Sequence, residues 1–159
     1  MAIYLKLDGV EGNSKDSKHE KWIDLQNFTW DAHSSVSMYG GGKSGGSSQI
    51  GPVSVSCITS SVTATLMGFL LSGKVVPTAT LEMTRRIDDK EEGTWLTVEF
   101  TKLMIAGLSQ SHDANSPDSY DNITMVFEKA HQKISDQLDD GTLAAEKEFT
   151  ITPATNKVE

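Results

Sequence analysis

Apolar and polar residues alternate along much of the chain, which is typical of β-strands with one buried face. The first alternating segment spans residues 3–7, and later ones span residues 79–84, 96–101 and 123–127. Successive side chains of a strand point to opposite faces, so every second residue in these segments is expected in the core. The pattern therefore predicts a protein built mainly from β-strands.

A longer strand is predicted from Trp22 to His33. Phe28 and Trp30 share one face of this strand, whereas Thr29 lies on the other. We expect the aromatic side chains to pack in the core rather than to form a ligand-stacking surface, because large aromatic groups contribute strongly to core energetics. Thr29 is therefore expected on the outer surface.

The alternation changes phase after Lys102. Apolar residues occupy every second position from Leu96 to Phe100, and the series then continues at Leu103 and Ile105. A change of phase by one residue predicts a bulge, or a strand that bends from one sheet into another.

One segment has the period of an α-helix. Ser60 or Ser61 can cap its beginning by accepting hydrogen bonds from free backbone N–H groups, and Gly73 can end it by adopting positive φ. The apolar stripe of this helix consists of Val62, Leu66, Phe69 and Leu70.

Polar stretches separate these segments. Residues 8–21, 34–51 and 109–121 are predicted to be loops, and the second of these is dominated by glycine and serine. Residues 134–148 are compatible with a strand pair that turns at residues 139–141, or with partly helical structure. A final strand is predicted around Phe149 and Ile151.

Together these elements predict a mainly β fold: an antiparallel two-sheet β-barrel or sandwich with one short α-helix packed alongside. The length of 159 residues favours one domain spanning residues 1–159. A chain of this size buries roughly 70% of its unfolded surface, so it needs neither a disulfide nor a metal for stability.

Composition narrows the range of functions. The net charge is −8 at pH 7, which argues against nucleic acid as a partner because such binding depends on Lys and Arg. No apolar run reaches the roughly 20 residues of a membrane-spanning helix, so no membrane insertion is expected. Lys6 and Asp8 interrupt the N-terminal apolar stretch, and Cys57 is the single cysteine. These features predict synthesis in the cytoplasm without a signal peptide.

No catalytic or metal-binding motif is convincing, so the chain is predicted not to be an enzyme and to need no cofactor. The GGGKS sequence at residues 40–44 has Ser37 where a phosphate-binding loop requires glycine, and no helix follows it. The four histidines lack partners at metal-ligand spacing and are interpreted as exposed or partly buried. Cys57 lies in an apolar strand and is expected to be buried and unreactive.

The N-terminal quarter, however, resembles a known family. Its sequence IYLKLDGVEGNSKDSKHEKWIDL is followed by an aromatic strand, Phe28-Thr29-Trp30. Later stretches that fit the same pattern are Ser72-Gly73-Lys74, Asn122 to Phe127, and the strand at Phe149. The whole is similar to Hcp, the haemolysin-coregulated tube protein of the bacterial type VI secretion system. The matching N-terminal residues are Asp8, Gly9, Gly12, Ser14, Lys15, Asp16, Lys18, His19, Trp22, Ile23 and Asp24.

The resemblance implies a structural, non-catalytic protein. It implies a β-barrel-like fold, a homohexameric ring, and stacking of rings into a hollow tube that carries small effector cargo in its lumen. The implied partners are further copies of the chain, a VgrG-type spike, and sheath and baseplate proteins. The tube would be made in the cytoplasm and then secreted by the type VI system without cleavage of a signal peptide.

Two candidate functional regions follow from this resemblance. Thr29 matches a position that exposes a small polar residue to the lumen. The glycine-rich loop corresponds to an extended loop of the family, and long flexible loops that become ordered on contact suit reversible ring stacking. The residues of this predicted stacking loop are Val36, Ser37, Met38, Tyr39, Gly40, Gly41, Gly42, Lys43, Ser44, Gly45, Gly46, Ser47 and Ser48.

Two alternatives stay open at this stage. A phage-tail-tube-like protein would share the same mechanics and would also form rings. A β-sandwich ligand-binding module, or a hydrolase with an unrecognised site, would instead be expected to bind or turn over a small molecule.

Overall fold

A computed structural model describes residues 1–35, 48–88, 91–155 and 157–159. Nine β-strands, one α-helix and one 3-10 turn lie within these residues. The elements are β1 Ala2–Leu7, β2 Ile23–Leu25, β3 Asn27–Ser34, β4 Ser48–Ile58, α1 Ser61–Ser72, β5 Val75–Asp88, β6 Glu91–Ser111, β7 Tyr120–Ile134, β8 Lys147–Thr152, the turn Pro153–Thr155 and β9 Lys157–Val158.

Hydrogen bonds connect all these strands in one antiparallel path. The order is β2-β1-β5-β6-β7-β4-β3, and β8 pairs with both β7 and β9. The two ends of the path, β2 and β3, are consecutive in sequence and are joined by Gln26. The N–H of Gln26 donates a hydrogen bond to the carbonyl of Ser56 on β4. The path thus bends back on itself, and the predicted mainly β, barrel-like or sandwich-like fold with one helix is confirmed.

The path divides into two layers at a corner in β6 and β7. Burial changes phase where Thr101 and Lys102 are both exposed, and again at Glu128 and Lys129 on the facing strand. Lys102 has a left-handed φ of 51°, and its Nζ lies 3.0 Å from Oε2 of Glu128. The phase change predicted at Lys102 is therefore confirmed.

We call the two parts layer one and layer two. Layer one contains β1, β2, β5, β8, residues 91–101 of β6 and residues 129–134 of β7. Layer two contains β3, β4, residues 102–111 of β6 and residues 120–128 of β7. The partner of β7 accordingly changes from β4, along residues 120–125, to β8, along residues 130–134.

Aromatic side chains join the two layers across the core. The ring of Trp30 on β3 lies 6.2 Å from Phe100, 5.6 Å from Phe127 and 6.1 Å from Phe149, measured between centroids. Centroid distances of this size are typical of favourable aromatic pairs. Placement of Phe28 and Trp30 towards the core, as the alternation predicted, is confirmed.

The helix begins and ends at the predicted residues. The Ser60 hydroxyl accepts a hydrogen bond from the Val62 N–H, and the Thr63 hydroxyl accepts one from the Ser60 N–H. Gly73 ends the helix with φ 66°, a conformation that costs glycine little. Val62 and Leu66 are buried, while the rest of the apolar stripe is partly buried against the core.

Several predicted loops are shorter in the structure than in the sequence interpretation. Ser34 pairs with Ser48, so both ends of the predicted loop 34–51 belong to strands. Residues 109–111 and 120–121 likewise extend β6 and β7. Polar residues are acceptable in these strand ends because pairing satisfies their backbone groups while their side chains remain exposed.

The segment that the sequence left undecided forms a turn. A single bridge pairs Gln137 with Leu143, and Gly141 adopts φ 87° between them. The strand-pair alternative is thus nearer to the structure than the helical one. The final strand predicted around Phe149 and Ile151 is β8.

Candidate functional site: a neutral sheet face

The outer surface of layer two carries two neighbouring cross-strand rows of small uncharged residues. Strand alternation sends their inner neighbours into the core and leaves these side chains outside. We call this surface the neutral face. Its rows are Asn27–Ser56–Asn122–Ser109 and Thr29–Ser54–Thr124–Gly107.

The outer surface of layer one differs in its charge. One cross-strand row there contains Lys6, Thr80, Glu99 and His131 in sequence across β1, β5, β6 and β7. The Nε2 atom of His131 lies 3.0 Å from Oε2 of Glu148 on β8. This row carries charged residues, whereas the two rows of the neutral face carry none.

The chemistry of the neutral face is limited to hydrogen bonding. Hydroxyl and amide groups both donate and accept, so they can exchange partners with water or with a passing surface. The two rows contain no side chain that could form an ion pair with a charged partner. Such a surface can offer a partner hydrogen bonds but no charge pairing.

Thr29 lies near one end of this face. Its side chain is exposed, and its hydroxyl donates to Oδ1 of Asn27 at 3.1 Å. The prediction that it lies opposite Phe28 and Trp30 is confirmed. Its predicted position facing a lumen stays a prediction.

Most of the predicted stacking loop lies outside the described residues. Val36 to Ser47 belong to this part of the chain, and their predicted role stays a prediction. Ser48 is described, and it is the first residue of β4 rather than a loop residue.

The N-terminal loop is held on the outer surface of layer one by a buried histidine. His19 is 3% exposed, and its ring stacks on Tyr4 with the centroids 4.2 Å apart. Its Nδ1 lies 2.8 Å from Oδ1 of Asp16, and its Nε2 lies 2.7 Å from Oε2 of Glu82 on β5. The ring of Trp22 packs against the same imidazole, nearly perpendicular to it. This cluster ties the charged loop to β1 and β5.

These contacts also change the acidity of Asp16. The hydrogen bond from the His19 side chain, with a second from the Lys18 N–H, lowers the pKa of the Asp16 carboxyl below its ordinary value of 3.8. Hydrogen bonds to the charged form of a carboxyl stabilise that form.

The burial of His19 contradicts one prediction made from the sequence. The interpretation of all four histidines as exposed or partly buried is wrong for His19.

A second buried polar group ties the helix to layer two. Asp121 on β7 is fully buried, and it accepts hydrogen bonds from the hydroxyls of Thr59, at 2.8 Å, and Thr63. Both donors flank the N-terminus of α1. A buried carboxylate is tolerated here because hydroxyl donors replace its lost hydration.

The remaining candidates for chemistry have structural explanations. Cys57 is buried, and desolvation raises the pKa of its thiol to about 11, as expected for an unreactive cysteine. Within the described ranges, no group of three or more His, Cys, Asp or Glu side chains could hold a metal ion. No helix in this part of the chain is long and apolar enough to cross a membrane.

Sequence reasoning identified Thr29 but missed the rest of the neutral face and the His19 cluster. Ser54 and Ser56, like Asn122 and Thr124, do alternate with apolar residues and so signal an outward polar side. Their alignment into rows depends on the register between strands that are far apart in sequence.

The fold is that of type VI secretion proteins. A solved structure described as that of a type six secretion system protein superposes with a TM-score of 0.90 at 23% identity, covering 99% of both chains. Hcp1 from Salmonella typhimurium gives a TM-score of 0.80 at 24% identity, covering 99% of this chain and 98% of its own. Hcp2 from the same organism gives 0.72 at 24% identity, covering 99% of each. At these identities the likeness demonstrates the fold.

Family membership follows from the sequence. The model of the family described as "Type VI secretion system effector, Hcp" matches residues 4–134. The chain therefore belongs to the Hcp family of the type VI secretion system. Among curated proteins, none matches this chain.

Proposed function

We propose that this chain is a structural and secreted subunit of the type VI inner tube. Copies assemble into hexameric rings, the rings stack into a hollow tube, and the neutral face lines the lumen. The protein has no catalytic role in this proposal. It is made in the cytoplasm and leaves the cell with the tube, without cleavage of a signal peptide.

The observation that carries the proposal is a pair of open strand edges on opposite sides of layer two. At one side, β3 pairs with β4 and with no other strand among the described residues. At the other side, β6 pairs with β5 only as far as Met104, so residues 105–111 have no described strand beside them except β7, and α1 also contacts β6.

Two such edges favour head-to-tail association. Open edges present unpaired backbone groups and invite pairing with another chain. When different edges of successive copies meet, the contact is heterologous, and it closes into a ring if the rotation between copies allows. The neutral face of each copy would then join that of the next into a continuous lining.

Further partners follow from family membership. A tube that is propelled needs a tip and a surrounding contractile layer, so we propose a VgrG-type spike together with sheath and baseplate proteins. The charged outer surface of layer one suits the outside of the tube. The neutral face suits small effector cargo, because it can hydrogen-bond such a protein without trapping it electrostatically. The segment 36–48 remains our candidate for contacts between rings.

Native mass spectrometry with negative-stain imaging of the same sample tests the proposal. Six-subunit particles with a central hole are the expected result. A monomer over a wide concentration range would overturn it and would favour a ligand-binding module. A thermal-shift screen against small molecules, made on the same preparation, would then identify that class.

A further inference from the structure

The N-terminal loop contains a closed segment, residues 14–22, which we call the strap. Its two ends are joined by a backbone hydrogen bond of 2.8 Å from the Ser14 N–H to the Trp22 carbonyl. The strap lies against β1, because the ring of His19 stacks on that of Tyr4. Side-chain hydrogen bonds connect it further to β5 and β6.

These further contacts of the strap are polar. Nε2 of His19 lies 2.7 Å from Oε2 of Glu82 on β5, and Nζ of Lys18 donates to the carbonyl of Glu92 on β6 at 3.2 Å. Beside the two contacts, a pocket of about 330 Å³ lies between the strap and residues 91–94. Hydrogen bonds at the border of a pocket therefore attach the strap to these strands.

Both ring nitrogens of His19 face a carboxylate. Nδ1 lies 2.8 Å from Oδ1 of Asp16, and Nε2 faces Glu82. A neutral imidazole donates from one nitrogen only, whereas the imidazolium donates from both. The hydrogen bond from His19 lowers the pKa of the Asp16 carboxyl, so this group is ionised throughout the range in which histidines change charge. The doubly protonated ring is the form that satisfies both contacts.

The charges around this ring also favour the imidazolium. Lys6 lies over the ring of Trp22, which packs against His19. Burial raises the pKa of the stacked Tyr4, and nearby carboxylates raise it further. Five acidic and two basic side chains surround the ring from the strap, β1, β2, β5 and β6: Asp16, Asp24, Glu82, Glu91, Glu92, Lys6 and Lys18.

Loss of one proton from the ring would break the contact with Glu82 and spare that with Asp16. Oδ1 of Asp16 also accepts from the backbone N–H groups of Lys18 and His19, both at 3.0 Å, so it stays beside the ring within the strap. Oε2 of Glu82 has another donor, the Thr94 hydroxyl at 3.3 Å, and can remain on the sheet without the histidine. A ring protonated only on Nδ1 would turn the lone pair of Nε2 towards an anionic oxygen, which is unfavourable.

We propose that the strap is a pH-sensitive device on the outer surface of layer one. It is attached to β5 while both nitrogens of His19 carry protons, and it is released from Glu82 when Nε2 loses its proton as the pH rises. Release uncovers the ring of Tyr4, which is buried beneath the imidazole. The device belongs to the folded subunit and does not depend on the proposed ring of subunits, so either proposal can fail without the other.

Nuclear magnetic resonance of the unaltered chain tests the device in a single sample. Nitrogen chemical shifts of the His19 ring report its protonation, while exchange of the Lys21 and Trp22 amides, both hydrogen-bonded within the strap, reports its opening. Between about pH 5 and about pH 9, we expect the ring to change from doubly protonated to protonated on Nδ1 only. Over the same range, protection of the two amides, corrected for the intrinsic effect of pH, should fall at least roughly tenfold, because a hydrogen bond to a charged group is lost. Amides of β1 should show no such fall.

Glu82→Gln should abolish this pH dependence. The amide of glutamine can accept from a protonated Nε2 or donate to an unprotonated one, so the strap stays attached whichever form the ring takes. Glu20→Gln is the matched control, because Glu20 is exposed in the same strap. This control should lose protection with rising pH as the unaltered chain does.

Three results would overturn the device. The first is a ring that keeps one protonation state from about pH 5 to about pH 9. The second is strap protection that does not fall over the pH range in which the ring of His19 loses its proton. The third is an equal fall in protection in Glu82→Gln and Glu20→Gln. The first two are measured on the unaltered chain, so they do not require any variant to fold.

Discussion

The imidazole ring of His19 lies face to face with the phenol ring of Tyr4, with 4.2 Å between centroids and 8° between planes. The pair joins a loop of the N-terminal quarter to β1, and Glu82 of β5 fixes the other side of the imidazole. The stretch rich in lysine, aspartate and serine is thus anchored by one buried side chain.

Replacement of His19 by alanine is therefore expected to destabilise the fold. The change removes a buried ring and takes one hydrogen-bond partner from each of the carboxylates of Asp16 and Glu82, for a loss of about 3 kcal/mol in the free energy of unfolding. Urea denaturation followed by tryptophan fluorescence measures it. His112→Ala, at an exposed position, is the matched control and should change stability by less than about 0.5 kcal/mol. Equal effects of the two variants would contradict the anchoring role.

Asp16 should make stability depend on pH in the acid range. Its pKa is lowered by folding, so the stability it contributes is present above the unfolded value of 3.8 and is lost as the pH falls through the folded value. The difference in unfolding free energy between the unaltered chain and Asp16→Asn should therefore shrink as the pH falls through and below 3.8. Denaturation at several pH values gives this difference directly. A difference that grows towards low pH would show that folding raises the pKa of Asp16 instead of lowering it.

Asp121→Ala should loosen the attachment of α1. The substitution leaves the hydroxyls of Thr59 and Thr63 without their acceptor in a buried position, which should cost about 2–3 kcal/mol. Hydrogen exchange should show faster opening of α1 than of the strands of layer one. Asp118→Ala, an exposed aspartate in the preceding loop, is the control for loss of a carboxylate. Uniformly faster exchange across the chain would argue against a local role.

Thr29→Gln should change cargo handling without changing folding. Because Thr29 is exposed, the free energy of unfolding should stay within about 0.5 kcal/mol of the unaltered value. The longer side chain would project from the neutral face and should reduce the amount of a co-expressed type VI effector that co-purifies with the rings. Thr101→Gln, an exposed threonine at the corner between the layers, provides the comparison. Loss of folding in Thr29→Gln, read by circular dichroism, would exclude the assignment.

Local patterns were sufficient to predict most of the elements of this fold. Alternation identified the strands because the side-chain period of a strand is set by its backbone. The limits of α1 were predictable because Ser60 and Gly73 act on neighbouring backbone groups. The change of phase at Lys102 was predictable from the sequence. Both layers share one core, so β6 must keep its apolar side chains towards that core before and after the corner.

Features that depend on distant residues were not predictable in this way. The burial of His19 requires Glu82, which lies 63 positions away in sequence. The neutral face requires the register of β4 against β7, which no local pattern contains. Ser34 and Ser48 were assigned to a loop by their composition, yet they pair as the last residues of a two-stranded ladder. For these two serines, pairing between strands outweighed their local preference for a loop.

The corner at Lys102 and Glu128 has a mechanical consequence. β6 and β7 each continue through it, so the two layers share the same two strands. A displacement of one layer is therefore transmitted to the other by covalent backbone and by ladder hydrogen bonds, in addition to the packing of Trp30 on Phe100 and Phe149. In the proposed tube, a subunit built in this way would move as one block under axial load.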